Sequence, residues 1–411
     1  SNKDGLRKLY KINVKTMQIV GEPVFAVKGY DVEDLLPNEA RNNLDGVAYT
    51  TTKDRTRWFN GRLAEIQRLM EQDYGRGNVQ IVSTNDGDTK IVLLVGKANQ
   101  PGGFYLFDTE SGKLSILGWY HPILKDMELN PMDSIRYKAS DGMEIEAVVT
   151  YPRHRPNRKN LPVVVMPHGG PFGVRDKEEF GFFPWHQAVA ELGYVVIQPN
   201  YRGSGGYGSE FVKEGRKGNG YGKRMQDDLN DAVNWFSSTG LIDKSRACIM
   251  GWSYGGFATA RGAQRDPDVW KCAIAGAGVY DMPMMNRWDE VNLSSFRARF
   301  QDTSDDPEGI SPARFTDGKW SPILIVAALR DARIPIEQSR TLVSRLKASG
   351  KKEGVDFRYV EQPKGTHNLP YEDVHIQWLK ETEDWLAKFN PAYIESDGDK
   401  PLPISVKVAA N

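Results

Sequence analysis

No charge of either sign prevails in this chain: 54 Lys and Arg balance 54 Asp and Glu over 411 residues. Nucleic acid and anionic membrane both demand a basic surplus, so neither is expected as an obligate partner. No window approaches the roughly 18 consecutive apolar residues of a membrane-spanning helix. Cysteine is scarce. Cys248 and Cys272 are too few for a disulfide framework, and no Cys/His spacing suits a metal, so neither metal nor cofactor is expected. Both cysteines sit in apolar, strand-like runs, "RACIMG" and "KCAIAG". That reads as two buried free thiols, with a bridge between neighbouring strands as the alternative. The chain also lacks an initiator methionine and opens on "SNK", which reads as the edge of a trimmed sequence from which any signal peptide would be gone. The compartment is therefore open: cytoplasmic by default, periplasmic or secreted if a signal was removed.

What the chain does have is two textures. Residues 1–130 read as short strands. "NVQIVSTN", "KIVLLVGK", "GGFYLFDT" and "KLSILG" are separated by Gly- and Asp-rich turns, and four strands in about 45 residues make one β-propeller blade. The strands before them supply most of another, and "TRWFNGRLAEIQRLMEQDYG" has the 3–4 spacing of an inserted helix. A propeller needs at least about four blades of roughly 40 residues, so this region is an incomplete propeller. The expectation is a fragment of a longer protein.

From 131 to 392 the texture is α/β. "DSIRYKAS" and "MEIEAVVTYP" flank Asp141-Gly142, a two-residue hairpin turn. Apolar runs at 161–168, 193–200, 246–252, 271–278, 321–329 and 356–362 then alternate with amphipathic helices. Such alternation implies a mostly parallel sheet with helices on both faces. With an antiparallel first hairpin it is the α/β-hydrolase pattern. Residues 393–411 are Pro-rich and polar and read as an extended tail.

In "RACIMGWSYGGFATARGA" a strand runs into Gly251-Trp252-Ser253-Tyr254-Gly255 and a small-residue helix follows. That context is what a nucleophile elbow requires. A serine hydroxyl needs a base, and of six histidines His367, in the loop "PKGTHNLP" before the last helix, lies at the right sheet edge. His375 falls on that helix and reads as a packing or surface residue. The base needs an acid; Asp331, in "ALRDARIP" after the strand 321–329, is the candidate. Ser253, Asp331, His367 is the chain order of this fold. "MPHGGPFG" after the strand 161–167 is an HGG-type loop, so a backbone N–H of His168-Gly169-Gly170-Pro171 and the N–H of Tyr254 are the expected oxyanion donors.

One motif points elsewhere. "YRGSGGYG" contains Gly203-x-Gly205-x-x-Gly208 after an apolar strand, with Asp227 and Asp228 about twenty residues on, a dinucleotide-binding pattern. The strand before it is not the first of a βαβ unit, and the glycine-rich "SEFVKEGRKGNGYGK" promises no helix opening at once. NAD binding is therefore not expected. The loop is placed instead beside "HGGP", with Arg202 pairing a carboxylate of the "DDLND" helix.

At "VMPHGGP", "PNYRGSGGYG", "GWSYGGFAT", "SPARFTDGKWSPILIV", "RDARIP" and "GTHN" the sequence resembles the prolyl oligopeptidase family of serine peptidases, nearest its acylaminoacyl-peptidase-like branch. The resemblance implies a seven-bladed propeller capping an α/β-hydrolase domain, and hydrolysis of short peptides in the cavity between them. It implies Ser253, Asp331 and His367 as the triad, with Gly170 and Tyr254 at the oxyanion. Arg333 matches an arginine that holds a substrate carbonyl, a surface salt bridge being its alternative. Val279, Trp288, Phe296 and Phe300 would line the S1 pocket, or simply pack the core. Ala327-Ala328 and Asn368 depart from the usual pattern without removing a catalytic group. The acidic pair with which dipeptidyl peptidases hold a free amine is not recognisable, which favours an acylaminoacyl- or oligopeptidase-like preference. A carboxylesterase is the alternative enzyme. A non-catalytic fragment acting by association is the alternative of another class, its exposed strand edges inviting a second copy or the missing propeller part.

Overall fold

A computed structural model describes residues 1–38, 42–179, 184–216, 218–293 and 304–394. The chain divides into two compact units: residues 1–134 with 172–184 and 203–214, and the remainder.

The first unit is built from small antiparallel sheets: β1 (Leu9–Asn13) with β2 (Gln18–Phe25), then β3 (Val32–Asn38), β4 (Asn43–Thr50) and β5 (Asp54–Trp58), then β6 (Val79–Thr84), β7 (Lys90–Lys97), β8 (Gln100–Asp108) and β9 (Lys113–Trp119) in sequential order. The last four make a sheet of propeller-blade size. Helix α1 (Gly61–Tyr74) stands between the second and third sheets in the chain. Asn60 caps it, its side chain accepting from Arg62 N and Leu63 N at 3.0 and 3.3 Å, and Gly75 ends it at φ 91°. Its apolar stripe, Leu63, Ile66 and Met70, packs with Val79, Ile91, Leu93 and Val95 into one core.

The second unit carries an eight-stranded sheet in the order β10-β11-β13-β12-β14-β15-β16-β17. Its strands are β10 (Met132–Lys138), β11 (Glu144–Thr150), β12 (Leu161–Val165), β13 (Val195–Asn200), β14 (Ile242–Trp252), β15 (Cys272–Gly276), β16 (Ile323–Ala328) and β17 (Phe357–Gln362). β11 runs antiparallel to β13, and from β13 to β17 all pairings are parallel. The central strands are buried end to end, as Val163–Val165, Ala247–Met250 and Ile323–Val326 show, because helices cover a parallel sheet on both faces. The second unit's helices include α2 (Trp185–Glu191), α4 (Met225–Ser238), α5 (Tyr254–Arg265), α6 (Met282–Asn292), α7 (Glu337–Ala348) and α8 (Glu372–Phe389), and α3 (Ser209–Arg216) opens in the first unit's segment 203–214.

Two expectations change. The cysteines are not free thiols: Cys248 and Cys272 form a disulfide, with Cα atoms 4.8 Å apart. They face each other in register on adjacent strands β14 and β15, which is within bonding range for a disulfide. A helix does open directly after the glycine loop, since α3 begins at Ser209. Its N-terminus, where a pyrophosphate would sit, is filled from within the first unit: Gly208 N donates to Asp31 Oδ2 at 3.2 Å and Ser209 N to the Gly5 carbonyl at 2.8 Å. An internal carboxylate thus stands where the dinucleotide motif needs a phosphate. At the end of the second unit, Arg155 Nη1 and Arg246 Nη2 both donate to the Ala392 carbonyl, at 2.7 and 2.9 Å. Residues 395–411 lie outside the described residues.

Candidate active site

β14 ends at Trp252 and α5 begins at Tyr254, leaving Ser253 alone to turn the chain. It does so at φ 62°, ψ −122°, a backbone state that costs a residue with a Cβ on the order of 1–3 kcal/mol. Close packing holds it there. A Cβ at Gly251 would lie 2.5 Å from the Gly255 carbonyl carbon, and one at Gly255 would lie 2.3 Å from the Pro167 oxygen. Strand, helix and the loop from β12 therefore meet backbone to backbone. Ser253 N donates to the Gly276 carbonyl at 2.9 Å, and Phe257 N to the Ser253 carbonyl at 3.0 Å.

The loops after β16 and β17 are knitted together. Leu329 N donates to the Gln362 carbonyl and Arg330 N to the Gly365 carbonyl, at 3.0 and 2.9 Å. Asp331 and His367 come from these two loops, and their side chains meet: His367 Nδ1 is 2.7 Å from Asp331 Oδ2. On the other edge of the ring, His367 Nε2 is 3.0 Å from Ser253 Oγ. Asp331 is almost wholly buried, while His367 keeps 21% of its side chain exposed. Trp252 Nε1 donates to the His367 carbonyl at 3.0 Å, and Trp252 packs edge-on to Trp378 and Trp185. His375, on α8, accepts from Trp185 Nε1 at 3.2 Å, a bracing contact behind the site.

The HGG loop runs beside the serine: a Cβ on Gly169 would be 3.5 Å from Ser253 Cβ. Gly170 has φ 117° and a cis peptide to Pro171. Tyr254 N belongs to the first turn of α5, where N–H groups have no acceptor inside their own helix. The Tyr254 ring is buried, its hydroxyl donates to Met225 Sδ at 3.6 Å, and burial raises its pKa far above the ordinary phenol. Beneath it, His168 stacks on Tyr201 at 4.4 Å, Tyr201 lies tilted against Tyr254 at 5.5 Å, and Tyr221 meets Tyr254 edge-on at 5.0 Å. Burial lowers the His168 pKa to about 4, leaving a neutral ring beside the elbow.

Arg202 braces the sheet edge. Its Nε and Nη2 donate to Asp228 at 2.9 and 2.7 Å, and Nη2 also reaches Asp141 at 2.9 Å. Arg333 is not a simple surface pair: its Nη1 donates at 2.8 Å to Asp289 of α6, a buried carboxylate. Asp289 was not singled out from the sequence, where a single acid on an amphipathic helix carries no signal. Val279 is buried in the turn after β15, which Gln338 locks by accepting from Tyr280 N and Asp281 N. Trp288 is half-buried on α6. Phe296 and Phe300 lie outside the described residues.

Residues 181–391 match the prolyl oligopeptidase family. The chain belongs to that family. Among curated relatives, it is 26% identical over 374 residues to dipeptidyl aminopeptidase BIII of Pseudoxanthomonas mexicana, covering 87% of this chain and 53% of that protein. It is 27% identical over 334 residues to the acylamino-acid-releasing enzyme of Sus scrofa, covering 76% and 44%. Among solved structures it superposes on a puromycin-hydrolyzing peptidase of Mycobacterium tuberculosis with a TM-score of 0.75 at 18% identity, covering 95% of this chain and 60% of that one. The acylaminoacyl peptidase of Pyrococcus horikoshii gives 0.68 at 20% identity, covering 89% and 57%. These superpositions show the shared fold: propeller strands followed by an α/β-hydrolase domain. The chain spans about half the length of the curated relatives it matches.

Proposed function

We propose that this member of the prolyl oligopeptidase family is a serine peptidase that cleaves short peptides through an acyl-enzyme on Ser253. One observation carries the reading: the His367 ring bridges Asp331 and Ser253 at 2.7 and 3.0 Å, proton-transfer distances on both edges. His367 Nε2 takes the hydroxyl proton as Oγ attacks the scissile carbonyl, and the oxyanion forms toward the backbone N–H groups of Tyr254 and Gly170. The same imidazolium then protonates the leaving amine, and a water repeats the sequence to release the acid. Asp331 fixes the ring and stabilises its charged form. Arg333 holds a substrate carbonyl, and Val279 and Trp288 contribute to the wall that receives the side chain before the scissile bond. The names of the relatives, which include both a dipeptidyl aminopeptidase and acylamino-acid-releasing enzymes, support short peptides as the substrate class.

The test is covalent labelling by a fluorophosphonate, with the modified peptide identified by mass. Stoichiometric modification of Ser253, lost in Ser253→Ala, together with hydrolysis of N-acyl-peptide anilides, is the expected result. Labelling that persists in Ser253→Ala, or a folded wild type that does not react, overturns it.

A further inference from the structure

The Asp289–Arg333 pair lies outside the hydrolytic relay yet is tied to it. Arg333 N donates to Asp331 Oδ1 at 2.8 Å, so the arginine's backbone is fixed by the acid of the relay. Its guanidinium turns away to α6, where Nη1 and Nη2 meet the two oxygens of Asp289 at 2.8 and 3.4 Å. Asp289 has only 9% of its side chain exposed, whereas Arg333 keeps 35%. A carboxylate with so little water needs a cation against it, so the pair is held from the buried side while the outer part of the arginine meets solvent. Both charges act on the Tyr221 hydroxyl, and the Tyr221 ring packs edge-on against Tyr254. The pair is thus joined through the Arg333 backbone to the carboxylate that faces His367 at 2.7 Å.

We propose that Asp289 is a positioning and specificity-determining residue: it aims Arg333 at the substrate and cancels its charge, so that the subsite accepts neutral peptide carbonyls and gives acidic side chains no advantage. This rests on the peptidase reading above. An arginine without its counter-ion draws anions; one held fork-to-fork by a carboxylate offers N–H dipoles at nearly zero net charge.

Peptidyl diphenyl phosphonates, which phosphonylate an active serine without turnover, provide the probe. They are made in pairs with Gln or Glu at each of the two positions before the phosphonate. Inactivation rates are read on the full chain, wild type and Asp289→Asn, at low and high salt. In wild type the Glu and Gln probes are expected to react within about twofold of each other. In Asp289→Asn the Glu probe gains on its Gln partner by about tenfold at low salt, and the gain fades at high salt. Asp289→Glu restores the wild-type ratio, and Arg333→Gln abolishes the effect of Asp289→Asn. Merely structural damage slows both probes alike and leaves their ratio unchanged, which overturns the proposal, as does a wild type that already prefers Glu. If Asp289→Asn does not fold, a wild-type ratio that Arg333→Gln leaves unmoved overturns it as well. Absence of phosphonylation at Ser253 in every protein is the failure of the peptidase reading instead.

Discussion

Asp331 divides its two oxygens between different duties toward His367 and the backbone. Oδ2 faces His367 Nδ1 at 2.7 Å, while Oδ1 accepts from the N–H groups of Arg333 and Ile334, both at 2.8 Å. The carboxylate cannot rotate without giving up two backbone bonds, so the imidazole is held in the tautomer that leaves Nε2 free to accept from Ser253 Oγ. Asp331→Asn preserves the shape but can present its amide N–H to the ring, reversing that tautomer. Activity on a peptide anilide is expected to fall about 10³–10⁴-fold, the size this change has in a Ser-His-Asp triad, with the melting temperature nearly unchanged. A loss of less than tenfold would mean that the ring orients itself without this acid.

Gly255 tests the elbow itself. Adding one methyl places it 2.3 Å from the Pro167 carbonyl oxygen, and the backbone that must yield leads directly into His168 and Gly169. Gly255→Ala is expected to cost about 1–3 kcal/mol or more and to slow fluorophosphonate labelling at least tenfold. Gly318→Ala, where nothing lies within 4 Å of the new methyl, is the control and should leave both unchanged. Equal behaviour of the two variants would show that the elbow is looser than its geometry.

The Cys248–Cys272 bridge joins neighbouring strands immediately before the elbow, across 24 residues. Alkylation of the denatured, unreduced chain is expected to modify no cysteine, and alkylation after reduction to modify both. A bridge over a span of this size contributes about 2–4 kcal/mol, so Cys248→Ala/Cys272→Ala should melt lower under non-reducing conditions and match wild type only in reductant. Alkylation of both cysteines without reduction refutes the bridge.

The parts that the sequence alone revealed are those whose chemistry needs a particular residue in a local frame. Ser253 was legible because an elbow demands glycines two residues to either side, Asp331 because it follows the buried apolar strand β16, and His367 because its loop stands between the last strand and the last helix. Side chains whose partners lie far away in the chain were not. The bridge depends on β14 and β15 being adjacent and in register, which no spacing reveals. Helix α3 was hidden by glycines, and its start is capped by Asp31, 177 residues from Gly208. Asp289 meets Arg333 across 44 residues; only the closure of α6 over the acid loop makes that aspartate more than a surface charge.

Acid sensitivity follows from His186. It is buried on α2 with only 4% exposure, its Nε2 has no hydrogen-bond partner among the described residues, and burial lowers its pKa to about 4. The unfolded chain protonates the same ring near 6.5. Below that value the unfolded state takes up the proton first, so the stability this histidine permits is complete above pH 6.5 and is lost as pH falls toward 4. Between pH 7.5 and 5.0 the loss from this one group is about 2 kcal/mol. Urea titrations of wild type and His186→Gln at the two values isolate it, because every other titrating group contributes to both proteins. The variant should lose about 2 kcal/mol less than wild type on acidification. Equal losses would show that the ring already carries its proton, or finds water, in the folded state.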